Sequence, residues 1–305
     1  MNILKLAIPL CVAMAYGATP AGASPILGTE LASFAVLGAS TVTNTGATTL
    51  VGNLGVSPGS AITGKATITV NGTSADLIGN PSVHETDAFA TLANSQIVDA
   101  RTTLGLLGVG TLLPVDLVGL TLFPGVYTVP AGVSNLTGAL TLDGQGNANA
   151  AWIFQMPSTL ITSPGAVVNV INTGTGAGIY WNVGSSATLD TTTSFEGNIL
   201  AYASVGLNHA ATIGCGRALA QTAEVTMDNN TINALGCETG SGGTGSNGFS
   251  GGLDVTTTAE GVTEVAILPF VPVSPTPVPE PGTLMLFGLG LAGLFTYRKG
   301  LVSHI

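Results

Sequence analysis

Few side chains in this chain could act as metal ligands, nucleophiles or acid–base groups, and those few do not form a recognisable set. His209, Cys215 and Cys237 could contribute to a zinc site, but a fourth ligand and closely spaced cysteine pairs are missing. Residues 143–147, Asp-Gly-Gln-Gly-Asn, faintly resemble a calcium loop but lack its closing carboxylate, which favours a turn. The pattern therefore predicts no metal site and no cofactor.

The scarcity of charge excludes two further classes of function. Charged residues make up 7% of the 305 residues, and only six are Lys or Arg. A nucleic-acid-binding surface needs basic side chains that neutralise phosphates, and this chain lacks them. Solenoid polysaccharide lyases need a basic residue beside clustered acids, whereas Arg217 is the only basic residue between positions 150 and 233. We expect a protein that is not an enzyme and does not bind nucleic acid.

Residues 150–233 contain a repeat of about 18 to 20 residues. Three apolar columns run through the repeat: Leu189, Leu207 and Met227; Phe195, Ile213 and Ile232; and Leu200 and Leu219. The short alternating runs between Gly, Ser, Asn and Ala residues are typical of strands with one face inward. One repeat cannot bury its apolar face alone, but stacked repeats share a continuous core. The expected fold class is therefore mostly β: a right-handed, three-sided β-helix.

One segment has helical rather than β periodicity. Ser82 and Glu85 have the spacing of an N-terminal capping box, and the apolar residues after them recur every three or four positions: Phe89, Ala93, Ile97, Ala100 and Leu104. We predict one long helix over about residues 83–104. Segments 199–201 and 218–220 are apolar on both strand faces, and such strands are covered on both sides. The helix is therefore expected to pack along that flank of the β-helix.

The other segments divide the chain. Residues 1–23 have the basic start, apolar stretch and small-residue cleavage site of a signal peptide, so the folded domain is expected to span residues 24–237. Residues 238–277, Gly/Ser-rich and then Pro-rich, are interpreted as a linker. Cys215 and Cys237 are the cysteines that remain after export, and a disulfide between them is the default outside the cytoplasm. We expect it where the repeats end, protecting the edge of the last coil.

The C-terminal segment, residues 278–305, has three consecutive features. Pro279, Glu280 and Pro281 precede an apolar run at 283–297, and Arg298 and Lys299 close it. At about 15 residues, the run is short for a helix that needs roughly 20 to cross a bilayer. This tail resembles the bacterial PEP-CTERM sorting tail. The resemblance implies export, transient membrane anchoring through a short transmembrane helix, and processing by an exosortase-type enzyme, which leaves the protein at the cell surface or outside the cell.

The body of the chain also carries a series of short segments in a characteristic order: residues 27–30, 34–37, 40–46, 52–59, 120–127, 151–155, 183–189, 216–220 and 228–232. Over roughly residues 26–235 these segments resemble the large ice-binding protein family, which is built on a discontinuous β-solenoid with one long helix alongside. The resemblance implies extracellular ice binding through one flat solenoid flank. We expect a monomer whose partner is the ice surface. The alternative function is a structural adhesin or biofilm-matrix component at the cell surface.

Ice is uncharged and ordered, so an ice binder needs a flat, repeating surface rather than a pocket. Stacked strands place equivalent residues about 4.8 Å apart, and threonine offers a methyl and a hydroxyl group on a stiff side chain. The predicted ice-binding residues form two outward columns on one flank: Ser194, Thr212 and Thr231, and, two positions earlier, Thr192, Ala210 and Asn229. The resemblance implies a Thr-Ala/Gly-x-Thr/Asn pattern on the ice-binding flank, and residues 209–212 (His-Ala-Ala-Thr) keep its second half.

A second flank competes for this role. It carries Thr188, Gly206 and Thr226 beside an outward column that contains two acids: Asp190, Asn208 and Asp228. Carboxylates hold water strongly and so disfavour a match to ice. The sequence therefore predicts ice contact on the flank of Thr212 rather than on that of Thr226.

Overall fold

The computed structural model describes residues 25–130, 132–235, 237, 247–258 and 262–273. The predicted signal peptide (1–23) and sorting tail (278–305), with its short transmembrane helix, lie outside these residues. Within the described residues, no helix combines the length and apolar character needed to cross a membrane.

The strands are short and follow one another closely. The N-terminal part contains β1 (Phe34–Gly38), β2 (Thr41–Thr45), β3 (Thr48–Val51), β4 (Asn53–Val56), β5 (Ala61–Thr63), β6 (Ile68–Val70), β7 (Thr73–Ser74) and β8 (Val83–Glu85), with 3-10 turns at Leu31–Ser33 and Lys65–Thr67, and then helix α1 (Ala88–Gly105). The central part contains β9 (Thr111–Leu112), β10 (Thr121–Leu122), β11 (Gly125–Thr128), β12 (Val133–Leu136), β13 (Ala139–Asn147), β14 (Ala151–Met156), β15 (Thr159–Thr162), β16 (Val167–Thr173), β17 (Gly178–Val183), β18 (Ala187–Leu189), β19 (Ser194–Ala201), β20 (Val205–Leu207), β21 (Thr212–Ala220), β22 (Val225–Asp228) and β23 (Thr231–Asn233). An antiparallel hairpin of β24 (Leu253–Thr257) and β25 (Thr263–Ile267) follows.

The strands wind into the predicted three-sided, right-handed β-helix, which is confirmed. We call its sides the threonine flank, the acidic flank and the helix flank. The acidic flank is a seven-stranded sheet in the order β12-β15-β18-β20-β22-β2-β5. The threonine flank contains β16, β23, β3, β6 and the first halves of β13, β19 and β21. The helix flank contains β11, β14, β17, β1, β4 and the second halves of β19 and β21.

The coils do not stack in chain order. Strand β23 pairs on one side with β21 and on the other with β3, so that Ile232 lies beside Leu50. Likewise β22 pairs with β2, and β21 pairs with β1. The N-terminal strands therefore continue the solenoid beyond its last C-terminal coil.

Aromatic rings stack through the interior. The ring centroids of Phe154 and Trp181 are 3.9 Å apart with planes 6° from parallel, and Phe195 lies 4.9 Å beyond Trp181. The indole Nε1–H of Trp181 donates to the Glu196 carbonyl at 2.9 Å. Burial of such rings, with their polar atoms satisfied, supplies much of the apolar driving force for folding.

Helix α1 packs where it was predicted. Its buried stripe of Ala93, Ile97 and Leu104 contacts the outward faces of Leu200 and Leu219 on the helix flank. Its predicted start at about residue 83 is wrong, because residues 83–85 are strand β8, paired with β4. Asp87 caps the helix instead, its Oδ1 accepting from the backbone N–H of Ala90 at 2.8 Å.

The expectation of a linker over residues 238–277 is wrong for its described part. Residues 247–258 and 262–271, which we call the strap, contain the hairpin β24–β25. Leu253, Val255 and Val265 pack into the apolar cluster of helix α1. The alternation of apolar and polar residues in this segment is a signal for two strands. The Gly/Ser-rich composition of the surrounding sequence obscures it.

Cys215 and Cys237 are joined by a disulfide, with Cα atoms 5.0 Å apart and a sequence separation of 22. The expected position at the end of the solenoid is wrong, because β1 pairs with β21 and β3 with β23 on the far side. The bridge therefore does not cap an open edge. It joins Cys215, in the interior strand β21, to Cys237, which follows β23.

Reduction of this disulfide is expected to lower the free energy of unfolding by about 2–4 kcal/mol, since it frees a loop in the unfolded chain. Urea denaturation with and without reductant measures the change. Mass spectrometry of the non-reduced exported protein should find no free thiol; two free thiols would contradict the pairing.

Candidate functional site

The threonine flank carries an unbroken outward column of uncharged residues, most of them hydroxylated. Strand register aligns them in the order Ala139, Val167, Ser194, Thr212, Thr231, Thr49 and Thr69. Ser194, Thr231 and Thr49 are exposed, and Thr212 is half-buried between its neighbours. The column thus includes the three predicted residues and extends them with two threonines from the N-terminal strands, which periodicity in residues 150–233 could not reveal.

Thr192, Ala210 and Asn229 also stack, but not as strand positions. Their φ angles of 57°, 59° and 55° are left-handed, and the strands begin two residues later, at Ser194, Thr212 and Thr231. The backbone N–H of Ala210 donates to the Asp228 carbonyl of the next coil at 3.0 Å. These residues form the corner between the threonine and acidic flanks, so the predicted second column borders the flat sheet rather than lying within it.

The neighbouring outward positions of the threonine flank are uncharged. They are Thr141, Asn169, Gly214, Asn233, Val51 and Asn71. Glu196 is the one acid in this stretch of β19, and it is only 4% exposed. Its carboxylate lies against Gly214, where an added Cβ would be 2.6 Å from Oε1.

The acidic flank has an equally continuous outward column. It runs Asn135, Ile161, Thr188, Gly206, Thr226, Thr43 and Thr63. Beside it the Asp190 carboxylate accepts from the Asn208 side chain at 2.8 Å and the Thr191 N–H at 2.7 Å. These hydrogen bonds lower the pKa of Asp190, the one from Asn208 having the largest effect, and so keep the carboxylate ionised. The Asp228 side chain is 41% exposed, and its Oδ2 lies 3.3 Å from His209 Nδ1. This flank therefore presents carboxylates to water.

The residues considered for metal or catalytic chemistry are not assembled into a site. Among the described residues, no group of three or more His, Cys, Asp or Glu side chains has the geometry to hold a metal ion. The Asp143 carboxylate accepts from the Gln145 N–H at 2.9 Å, which is a local turn. Arg217 is fully buried and cannot act as a surface base.

Comparisons with known proteins agree with this architecture. The family model described as ice-binding-like matches residues 36–233, and the model of the PEP-CTERM protein-sorting motif matches residues 277–299. An ice-binding protein of a Nostoc strain is 43% identical over 234 residues, which cover 75% of this chain and 82% of the relative.

Two solved structures share the fold. The crystal structure of an ice-binding protein from an Antarctic biological consortium superposes with a TM-score of 0.61 at 37% identity, covering 68% of this chain and 90% of that one. The ice-binding protein of the Antarctic ascomycete Antarctomyces psychrotrophicus gives a TM-score of 0.60 at 33% identity, covering 67% and 95%. With its solenoid, flanking helix and family match over most of the folded body, this chain belongs to the ice-binding-like family.

Proposed function

We propose that this protein binds ice outside the cell through its threonine flank and so restrains ice growth. The observation that carries the proposal is the uncharged column from Ser194 through Thr212, Thr231 and Thr49 to Thr69, aligned by strand register. The corner residues Thr192, Ala210 and Asn229 border this surface. No catalytic step and no cofactor enter the function.

The geometry suits ordered water. Coils repeat about every 4.8 Å, and alternate residues along a strand lie about 6.6 Å apart. Ordered water can lie between the methyl groups of neighbouring threonines, and the hydroxyl groups hydrogen-bond to it. The stiff χ1 of threonine keeps the array regular. The stacked core beneath holds the flank rigid, so little order has to be imposed on binding.

Export delivers this surface to where ice forms. The PEP-CTERM match at 277–299 supports sorting to the cell surface, with an exosortase-type enzyme as the partner that processes the tail. We propose that residues 1–23 direct export, that the tail anchors the chain only until it is processed, and that the domain acts as a monomer.

Thermal hysteresis and ice-recrystallisation assays of the purified protein test the function. We expect slowed ice-grain growth at micromolar protein. An unaltered growth rate would overturn ice binding and favour a structural role in adhesion or the biofilm matrix, for which the same sorting tail would serve.

A further inference from the structure

Arg217 has an unusual environment for a cation. Arg217 is fully buried, yet the acceptors of its guanidinium group among the described residues are carbonyl and amide oxygens rather than carboxylates. Nε donates to the Ala32 carbonyl at 3.1 Å, Nη1 to Asn198 Oδ1 at 2.7 Å and Nη2 to the Ala234 carbonyl at 3.1 Å. Burial lowers the pKa of Arg217 to about 10, so it remains charged at neutral pH. A buried charge is tolerated only when its hydrogen bonds are satisfied.

The strap supplies the remaining acceptors. Nη2 of Arg217 also donates to the Asn247 carbonyl at 2.8 Å, and Nη1 to the Gly248 carbonyl at 3.2 Å. Asn198, beside Arg217 on the next coil, donates through Nδ2 to the Phe249 carbonyl at 2.8 Å. Two side chains of the solenoid therefore hold three consecutive carbonyl groups of the strap.

The held segment is strained. Asn247, Gly248 and Phe249 have φ angles of 34°, 77° and 53°, and a left-handed conformation is costly for residues other than glycine. The Phe249 side chain is nevertheless fully buried in the solenoid core. Such a conformation persists only where its surroundings determine it, and here Arg217 and Asn198 do so.

Beyond this point the strap reaches the helix. Tyr180, in β17, donates through its hydroxyl to the Gly251 carbonyl at 2.8 Å. Leu253, Val255 and Val265 then complete the apolar cluster between helix α1 and the helix flank. The strap is thus fixed by polar contacts at 247–251 and covers the helix in its middle. It is held again at its C-terminal end, where the Val271 N–H donates to Asn147 Oδ1 at 3.0 Å.

We propose that Arg217 and Asn198 form a lock that closes the strap over helix α1, and that strap and helix open together while the coils remain folded. The lock is independent of ice binding. Release of the carbonyl groups at 247–249 removes the apolar cover from the helix, whereas the acidic-flank strands β18, β20 and β22 lose no contact with the strap.

Gly248→Ala is the variant that tests the lock. An added Cβ would lie 2.5 Å from Nη1 of Arg217 and 2.6 Å from the Ala234 carbonyl. Gly79→Ala is the matched control, because Gly79 has the same φ of +77° but open space around its Cβ position. Any difference between the two variants therefore reports the contact with the lock rather than the backbone conformation.

Amide hydrogen exchange of the full chain, followed by mass spectrometry, gives the readout. In Gly248→Ala we expect exchange about tenfold faster in peptides of the strap and of α1, with β18, β20 and β22 unchanged and Gly79→Ala like the parent. Faster exchange in the strap alone would overturn the joint opening. Equal acceleration throughout the coils, or none anywhere, would overturn the lock itself.

Discussion

Replacing Thr212 with tyrosine is expected to abolish the effect of the protein on ice growth without unfolding it. Thr212 lies in the middle of the threonine flank, between Ser194 and Thr231. An outward ring there lifts an ice plane away from the neighbouring hydroxyl groups. Outward surface substitutions usually change stability by less than about 0.5 kcal/mol. We therefore expect Thr212→Tyr to lose inhibition of ice recrystallisation while its melting temperature stays that of the parent protein.

Thr226→Tyr is the control, because Thr226 is an exposed strand residue in the corresponding column of the acidic flank. Loss of activity in Thr226→Tyr but not in Thr212→Tyr would place the ice contact on the acidic flank. Retention in both would place the ice contact on neither of these two flanks. Thr49→Tyr extends the test, since Thr49 continues the Thr212 column and should also lose activity.

Truncation of Trp181 to alanine is expected to give the largest loss of stability, about 3–5 kcal/mol. Trp181 is fully buried, stacked on Phe154 and packed at a tilt against Phe195, so its removal leaves a cavity and takes a ring contact from each of them. It also leaves the Glu196 carbonyl without the indole donor.

Urea denaturation measures this loss, and Trp181→Phe provides the comparison. Phenylalanine keeps a ring in the stack and removes only the indole N–H and some volume, so it should cost less than alanine. A loss below about 1 kcal/mol in Trp181→Ala would mean that the coils relax into the space. The aromatic stack would then not be a principal source of stability.

The features that could be predicted depend on short-range pattern. The spacing of Leu189, Leu207 and Met227 indicates coils because each residue occupies the same position in consecutive turns. The two-sided apolar segments at 199–201 and 218–220 indicate a covered flank, and α1 covers it. Ser194, Thr212 and Thr231 could be aligned because they lie in neighbouring repeats.

The features that could not be predicted depend on distant partners. Thr49 joins the column through a pairing with Thr231 that no local periodicity encodes. Ser82 and Glu85 have helix-capping spacing, but pairing of β8 with β4 offers those residues backbone hydrogen bonds in a sheet instead. Thr192, Ala210 and Asn229 have the correct spacing for a column, yet their left-handed turns follow from the stacking of corners.

The out-of-order stacking of the coils has a consequence for how the protein is made. Strands β1 to β3 leave the ribosome first, but their partners β21 to β23 follow more than a hundred residues later. Contacts between such distant segments slow folding, because a long loop must close before they stabilise the chain. The early strands can pair with β4, β5 and β6, but their other edge has no partner until β21 to β23 are made, and the coil stack becomes continuous only when residue 233 is available. A nascent chain shorter than this cannot complete the coil stack, and an incompletely folded polypeptide is the form that can be threaded through a membrane.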